Sequence, residues 1–367
     1  MSKTVTTIVM SLALAGAALP AAASAQASVR PGAAAGAAVP ALPAPGSWAT
    51  GWSAVISDTR APTVKYLALI SPTGERKPVG TVAAGTTVLD VRHDARMIIT
   101  RSKVVEGTPT VFTLWDAATA TGRRINVPAG QGLDFGPGDQ LIAQEGYPNP
   151  RVTVRSKEGA VVRTLSVPTD GQPAVSPGGT TYMVSRGNDI GIYDVVANRL
   201  VRAIPNQNPG VSCTALGLWS DGQMRFGCYD IPGNSAVYKA SASTGAVTHL
   251  AGVVSDAGTV FATNPIAAQT FWSDSCQGGG TALVKDGKPV WVNPTGPWGA
   301  GTHNVRTVAG SGTSLWMTVG WTCAEDNQKT SLARYNTSTG AVTVLAGPGS
   351  PGDQGTVRSA QSVDGLT

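Results

Sequence analysis

Three features of this chain predict an all-β fold built as a closed ring of seven four-stranded blades. A hairpin pattern recurs along the chain, and a second tight turn falls between successive hairpins at the same period. The final residues, TVRSAQSVDGLT at 356 to 367, read as half of a further blade.

Composition sets the frame. Of 367 residues, 42% are hydrophobic and 13% charged, which is enough apolar material for a large core and unlike a disordered chain. The 45 Gly and 25 Pro are spread along the sequence, which suits many short strands joined by turns. The formal charge of +5 comes from basic residues interleaved with acidic ones, without a run of five or six. Phosphate backbones are held by clustered Lys and Arg, so the pattern argues against a nucleic-acid partner.

The N-terminus combines Lys3, an apolar run from Val9 through Leu19, and Ala-x-Ala steps at Ala23 to Ala25 and Ala25 to Ala27. This is the pattern of a secretory signal peptide over residues 1–27, and its apolar run is too short to span a bilayer. The expected location is extracellular. Residues 28–46 are rich in Ala, Pro and Gly and read as a linker. A single folded domain is expected over 47–367, acting as a monomer.

Within that domain, VYKASASTGAVTHLAG at 237 to 252 and ARYNTSTGAVTVLAGP at 333 to 348 are two copies of one hairpin. Weaker copies surround Gly74, Gly122, Gly159, Asn198 and Gly287. Gly, and Asn less readily, tolerates the left-handed backbone such turns need. The second turn recurs as His93-Asp94-Ala95-Arg96, Gly136 to Asp139, Ser176 to Gly179, Ser220-Asp221-Gly222, a degenerate Asn264-Pro265, and Gly310-Ser311-Gly312. Each unit thus reads strand A, tight turn, strand B, variable loop, strand C, glycine turn, strand D. This is the length and order of a propeller blade, so the chain is expected to be a seven-bladed β-propeller.

The layout resembles the TolB-type and WD40-like β-propellers, whose blades carry an S-P-D-G-like turn between the first two strands and a D-x-x-T-G-like turn between the last two. That resemblance implies a fold and no particular activity.

TVRSAQSVDGLT aligns with NVRTVAGSGTSL at 304 to 315 and so reads as a strand A, while the blade around Gly74 has strands B, C and D only. Residues 356–362 are therefore expected to pair with about 48–57 and close the ring.

The repeat also pairs the four cysteines. Cys213 and Cys228 flank the Ser220 turn and face each other across strands A and B; Cys276 and Cys323 end strands B of successive blades. Two disulfides are expected, because metal and redox sites need closer Cys or Cys/His spacing.

Nothing in the chain matches a nucleophile elbow, a zinc helix, a phosphate loop or a calcium loop. GPGSPG at 347 to 352 has the letters of a dinucleotide fingerprint without the helix that would bind the phosphates. No cofactor or metal is expected. His93 and His249 read as surface or packing groups, whereas His303 opens a strand A at the mouth of the channel. The long B-to-C loops and D-to-A links share one face of the ring. That face collects Arg101, Glu145, Tyr147, Arg186, Asn188, Asp189, Tyr229, Asp230, Asp274, Trp298, Trp321, Glu325 and Asp326. Trp298 and Trp321 suit stacking on a sugar or anchoring a partner. The expected function is binding of a protein, glycan or envelope component without catalysis. The alternatives are a lyase, cyclotransferase or glycosidase using His303 with Asp274, Glu325 and Asp326, where the separation of carboxyls decides the chemistry, and a structural module.

Overall fold

A computed structural model describes residues 40–58, 63–105, 108–146, 149–169, 174–176, 178–186, 189–207, 212–218, 223–229, 236–252, 257–261, 263–270, 280–286, 288–298, 303–321, 330–351 and 355–363. Among them there is no α-helix, and the strands form seven four-stranded antiparallel sheets.

The first sheet holds β1 (Ser53–Asp58), β2 (Val64–Ile70) and β3 (Arg76–Ala83). The second is β4 (Thr87–Val91), β5 (Met97–Arg101), β6 (Thr110–Asp116) and β7 (Thr121–Val127), and the third is β8 (Gly130–Phe135), β9 (Leu141–Glu145), β10 (Arg151–Arg155) and β11 (Val161–Leu165). The fourth is β12 (Ala174–Val175), β13 (Thr181–Arg186), β14 (Asp189–Asp194) and β15 (Arg199–Pro205). The fifth is β16 (Ser212–Leu218), β17 (Gln223–Tyr229), β18 (Ala236–Ser241) and β19 (Val247–Gly252). The sixth is β20 (Ala257–Phe261), β21 (Ala267–Thr270), β22 (Gly280–Lys285) and β23 (Lys288–Trp291). The seventh is β24 (His303–Ser311), β25 (Ser314–Trp321), β26 (Ser331–Asn336) and β27 (Val342–Ala346), after which β28 (Val357–Ser362) returns to the first sheet.

Apolar clusters join the sheets in cyclic order. Ile56 and Leu69 pack on Val88 and Ile98; Phe112 and Ile125 pack on Leu133 and Leu141; Val152 and Val154 pack on Tyr182 and Val184. The series continues from Ile190 to Phe226, from Val237 to Ala282, and from Leu283 to Val305. Leu332 and Leu345 of the seventh sheet then meet Val55 and Ile70 of the first. Packing of each sheet between two neighbours in a closed cycle is a β-propeller.

This packing explains the strand sequences. A middle strand is covered on both faces, so β10 is RVTVR with every residue after Arg151 buried, rather than alternating in and out. The fourth strand of each sheet is an outer edge, and beside its core residues it carries polar or proline positions: β7 has Arg123 and Arg124, β3 has Lys77 and Pro78, and β23 has Lys288 and Pro289. Charge and proline on an edge discourage pairing with another chain.

Turn chemistry follows the repeat with one shift. Gly74, Gly159, Gly245, Gly340 and Asn198 have positive φ in the hairpins between third and fourth strands. In the second sheet the expected turn at Gly122 lies two residues earlier, where Ala120 takes φ 56°. Gly122 is already in β7 opposite Trp115, and a Cβ there would stand 2.9 Å from the indole. The glycine is needed for that close approach and not for the turn. Gly287 lies outside the described residues, and the preceding Asp286 has φ 49°.

The ring is closed by the two ends of the folded chain. β28 runs antiparallel to β1 from Ser53↔Ser362 to Ser57↔Val357 with one irregularity between Ile56 and Ser57. The ladder extends beyond both strands, since Val363 N donates to Trp52 O at 2.8 Å and Asp58 N donates to Thr356 O at 3.0 Å. Val357 and Ala360 are buried in the cluster that also holds Val55 and Leu332. Before β1, the last residues of the expected linker are tied down as well: Arg96 donates to Pro43 O at 3.0 and 2.7 Å.

A buried ion network fixes the third sheet. Glu145 accepts from Arg155 Nη2 at 2.6 Å and from Arg151 Nε at 2.8 Å. Burial alone would raise the Glu145 pKa, but the two guanidiniums outweigh it and hold the carboxyl below its usual range. Glu145 thus braces β9 against β10 and is not offered to a ligand.

Deleting residues 355–367 is expected to remove both a strand and an inter-sheet seam. Since each kcal/mol moves the midpoint of a large domain by a few degrees, the melting temperature should fall by roughly 10 °C or more. Thermal unfolding followed by circular dichroism checks this, and a truncated chain as stable as the parent would contradict the closure.

Candidate functional site: an arginine-lined cleft at the channel mouth

β28, the first strand of its sheet in spatial order, contacts the first strands of the sheets on either side, so β4, β28 and β24 line the centre of the ring next to one another. Where they begin, on the face of the long loops, they bound a cleft of about 330 Å³. Its wall includes Thr87 to Leu89 of β4, Arg101 at the end of β5, Arg306 of β24, Thr318 of β25, Thr330 and, as one side, Val357 to Gln361 of the closing strand.

The charge of this cleft is one-sided. Its described lining contains three arginines and no carboxylate. Arg358 is neutralised from outside the lining: its Nε lies 2.9 and 3.0 Å from the two Asp58 carboxyl oxygens, and its Nη2 is 2.7 Å from Oδ2. Asp58 also takes Lys65 at 2.8 Å. Burial works against the Asp58 charge, but Arg358 and Lys65 together pull its pKa down, and Asp58 in turn raises that of Arg358. Among the described residues Arg101 has only the Gln131 carbonyl, 3.2 Å away. Arg306 is exposed. Hydroxyls complete the wall: Ser359 Oγ accepts from Val88 N at 3.0 Å, and the Thr87 Oγ1 is buried with no hydrogen-bond partner among the described residues.

A larger cleft of about 490 Å³ lies on the opposite, short-turn side between the second and third sheets. Most of its charges are paired, and Asp116 accepts from the backbone N–H groups of Ala118 and Thr119 at 2.7 and 3.1 Å. Lys157 and Arg92 flank Asp139 at 3.4 and 3.7 Å, and Arg123 pairs with Glu158 at 2.9 Å. The two clefts therefore differ in kind: the short-turn cleft mixes cations with carboxylates, whereas the described lining of the channel-mouth cleft carries cations alone.

Deeper in the ring, two acids stand on consecutive innermost strands. Asp90 of β4 accepts from Val91 N at 2.7 Å and also from the backbone of Phe135 in the next sheet. Asp134 of β8 is bonded by Gln144, and its charge also acts on Tyr182 of the fourth sheet. Each residue keeps some accessible surface, yet its carboxyl is enclosed by the strands. Burial pushes Asp90 up to about 6, offset in part by its two backbone donors. Burial, then the neighbouring Asp90, pushes Asp134 up to about 7. Burial and Asp134 likewise raise the Tyr182 phenol.

The sequence-predicted site residues are distributed as follows. His303 and Trp321 are direct partners in the ladder of β24 and β25, at the long-loop end of both strands. Arg186 is exposed at the end of β13 opposite Asp189, and Tyr229 ends β17 opposite Ser212. Trp298 is different: it is 1% exposed, packs among Val305, Met317 and Ala333, and donates its Nε1 to Ser331 Oγ at 3.1 Å. Its ring faces are covered, so the expected stacking surface is instead a piece of the seam between the sixth and seventh sheets. Cys213 and Cys228 form a disulfide across β16 and β17, as the repeat predicts. Tyr147, Asn188, Asp230, Asp274, Cys276, Cys323, Glu325 and Asp326 lie outside the described residues. Among the described residues no three His, Cys, Asp or Glu side chains are placed to hold a metal ion.

Two signals in the sequence point to the groups that reasoning by motif passed over. Val305-Arg306-Thr307 and Val357-Arg358-Ser359 repeat an arginine at one position of two adjacent innermost strands. Leu89-Asp90-Val91 and Leu133-Asp134-Phe135 repeat an aspartate in the same way.

No family model matches the chain, and no curated protein matches its sequence. Solved structures do match in fold. The β-propeller domain of the Trilobed protease from Pyrococcus furiosus, which has an open velcro topology, is 11% identical with a TM-score of 0.54, covering 82% of this chain and 95% of that one. A prolyl endopeptidase is 12% identical with a TM-score of 0.52 over 81% of this chain, which spans only 50% of the endopeptidase. TolB from Acinetobacter baumannii is 16% identical with a TM-score of 0.46, covering 86% of this chain and 67% of TolB. At these identities the likeness is one of fold.

The raised acids make the ring's stability pH-dependent in a defined direction. Both bind protons more tightly folded than unfolded, so their contribution is full below pH 4 and is lost as pH rises through about 6 and about 7. Asp58, Asp94 and Glu145, held down, act oppositely and only on the acid side of their usual range. Asp134→Asn is expected to raise the melting temperature at pH 8 and to flatten its fall between pH 5 and 8. Melting curves across that window check this, and a variant with the parent's slope would refute it.

Proposed function

We propose that the chain is an exported, non-enzymatic binding protein, a seven-bladed ring that holds a protein, glycan or cell-envelope component on its long-loop face. The observation that carries this reading is the channel-mouth cleft. It is concave and polar, and it is built where three sheets meet, on the face where the ladder of β24 and β25 ends at His303 and Trp321. Ligand sites in ring-shaped and barrel folds gather at such mouths, where loops diverge from a rigid frame. The export half of the reading rests on the N-terminal pattern of Lys3, the apolar run and the Ala-x-Ala steps, together with a disulfide between Cys213 and Cys228.

Filling the cleft tests the binding half. Thr318→Trp places an indole in the cleft, while Lys157→Ala alters the opposite side. Capture of envelope material, or signal on a glycan array, should be lost with Thr318→Trp and kept with Lys157→Ala. Equal capture by wild type and Thr318→Trp would sink the assignment to this face. For export, protein recovered from the culture medium should begin at Gln26 or Ser28 by N-terminal sequencing. A chain retained in cells with Met1 intact would overturn it.

A further inference from the structure

We infer that the channel-mouth cleft is a site for an anionic sugar unit, whose carboxylate or phosphate is held by Arg101 and Arg306. The inference rests on the long-loop face being the binding face and adds the chemistry of what binds there. Of the three arginines in the lining, Arg358 is engaged by Asp58 on both carboxyl oxygens, so it contributes little further charge. Arg101 meets only a backbone carbonyl, and Arg306 is exposed with no hydrogen bond or ion pair to its guanidinium among the described residues. Two guanidiniums facing one concave space, without a carboxylate in the described lining, leave a net positive field focused by the walls of the cleft.

The type of cation matters. A guanidinium is a planar fork whose parallel N–H groups match the two oxygens of a carboxylate or phosphate, and it keeps its charge at any ordinary pH. The rest of the wall mixes the hydroxyls of Thr87, Thr318, Thr330 and Ser359 with Gln361 and four small or branched apolar residues. The hydroxyls both donate and accept, as those of a sugar do. The Thr87 Oγ1 is buried without a partner, a cost that a ligand hydroxyl reaching it would relieve. A volume of about 330 Å³ lies at the small end of ligand sites, which fits one or two sugar rings better than an extended polymer segment.

The test uses the full chain and three probes: glucuronate, inorganic phosphate and glucose, titrated by calorimetry at low and at physiological salt. Glucuronate or phosphate should bind, more weakly as salt rises, and glucose should not. The stronger of the two anions names the source of the charge, uronate or phosphate. Arg101→Gln and Arg306→Gln should each weaken anion binding about tenfold or more, as expected for loss of a charge-assisted hydrogen bond. Their melting temperatures should match the parent. Arg306→Lys should recover only part of the affinity, since it restores the charge without the fork. Binding of glucose equal to that of the anions, or no change in either Gln variant, or no binding of either anion, overturns the inference. Its failure is separable from that of the face assignment. If Thr318→Trp abolishes envelope capture while the Gln variants do not, the face stands and the anionic ligand falls. If Thr318→Trp leaves capture intact while the Gln variants lose the anions, the cleft binds anionic sugars but envelope material is held elsewhere.

Discussion

The pairing of β28 with β1 is the contact on which the rest of the molecule depends. Seven sheets arranged around an axis bury their apolar faces only against one another, so each sheet is stable because both of its neighbours are present. A linear stack would leave two faces and one hydrogen-bonding edge open to water. The single ladder between the two ends of the folded chain removes all three, and the cluster around Val55, Ala360 and Leu332 is the seam it completes. Every other ladder joins consecutive strands, which makes this one pairing of distant segments the more consequential.

The radial arrangement also divides the labour between strands. Middle strands carry the core and have little freedom to vary: Phe112, Tyr182 and Phe226 are fully enclosed. Outer strands carry Lys, Arg and Pro and protect the rim. The innermost strands are left to combine structure with chemistry. They converge, and their polar side chains meet those of other sheets. This convergence brings Asp90 within the field of Asp134 and sets Arg306 and Arg358 on one cleft, although each pair is separated by a whole repeat in sequence.

Much of this was legible beforehand. The repeat fixes strand order, the Asn198 and Gly245 turns, the Cys213–Cys228 bridge and the closing strand, because each follows from local pattern or from register within one hairpin. What escaped the pattern depends on tertiary placement. Trp298 looks like a loop anchor in a Pro and Gly-rich stretch, yet it folds back beneath β26 to reach Ser331. Gly122 looks like a turn glycine until Trp115 is seen to occupy the space above it. Glu145 sits at a strand end that leads into a loop, and only the third dimension supplies Arg155. The arginines of the cleft belong to no catalytic motif; they matter because the ring places their strands side by side.

One consequence follows from the residues that form one side of the cleft. Val357 to Gln361 belong to the strand that latches the ring, and the opposite walls come from β4 and β24 in the sheets on either side. A ligand seated there touches three sheets at once and finds its full set of partners only when the latch is home. Occupancy and closure are therefore thermodynamically linked: whatever binds the cleft also holds the two chain ends together. Against a protease or a mechanical load, the loaded form would be the harder one to open.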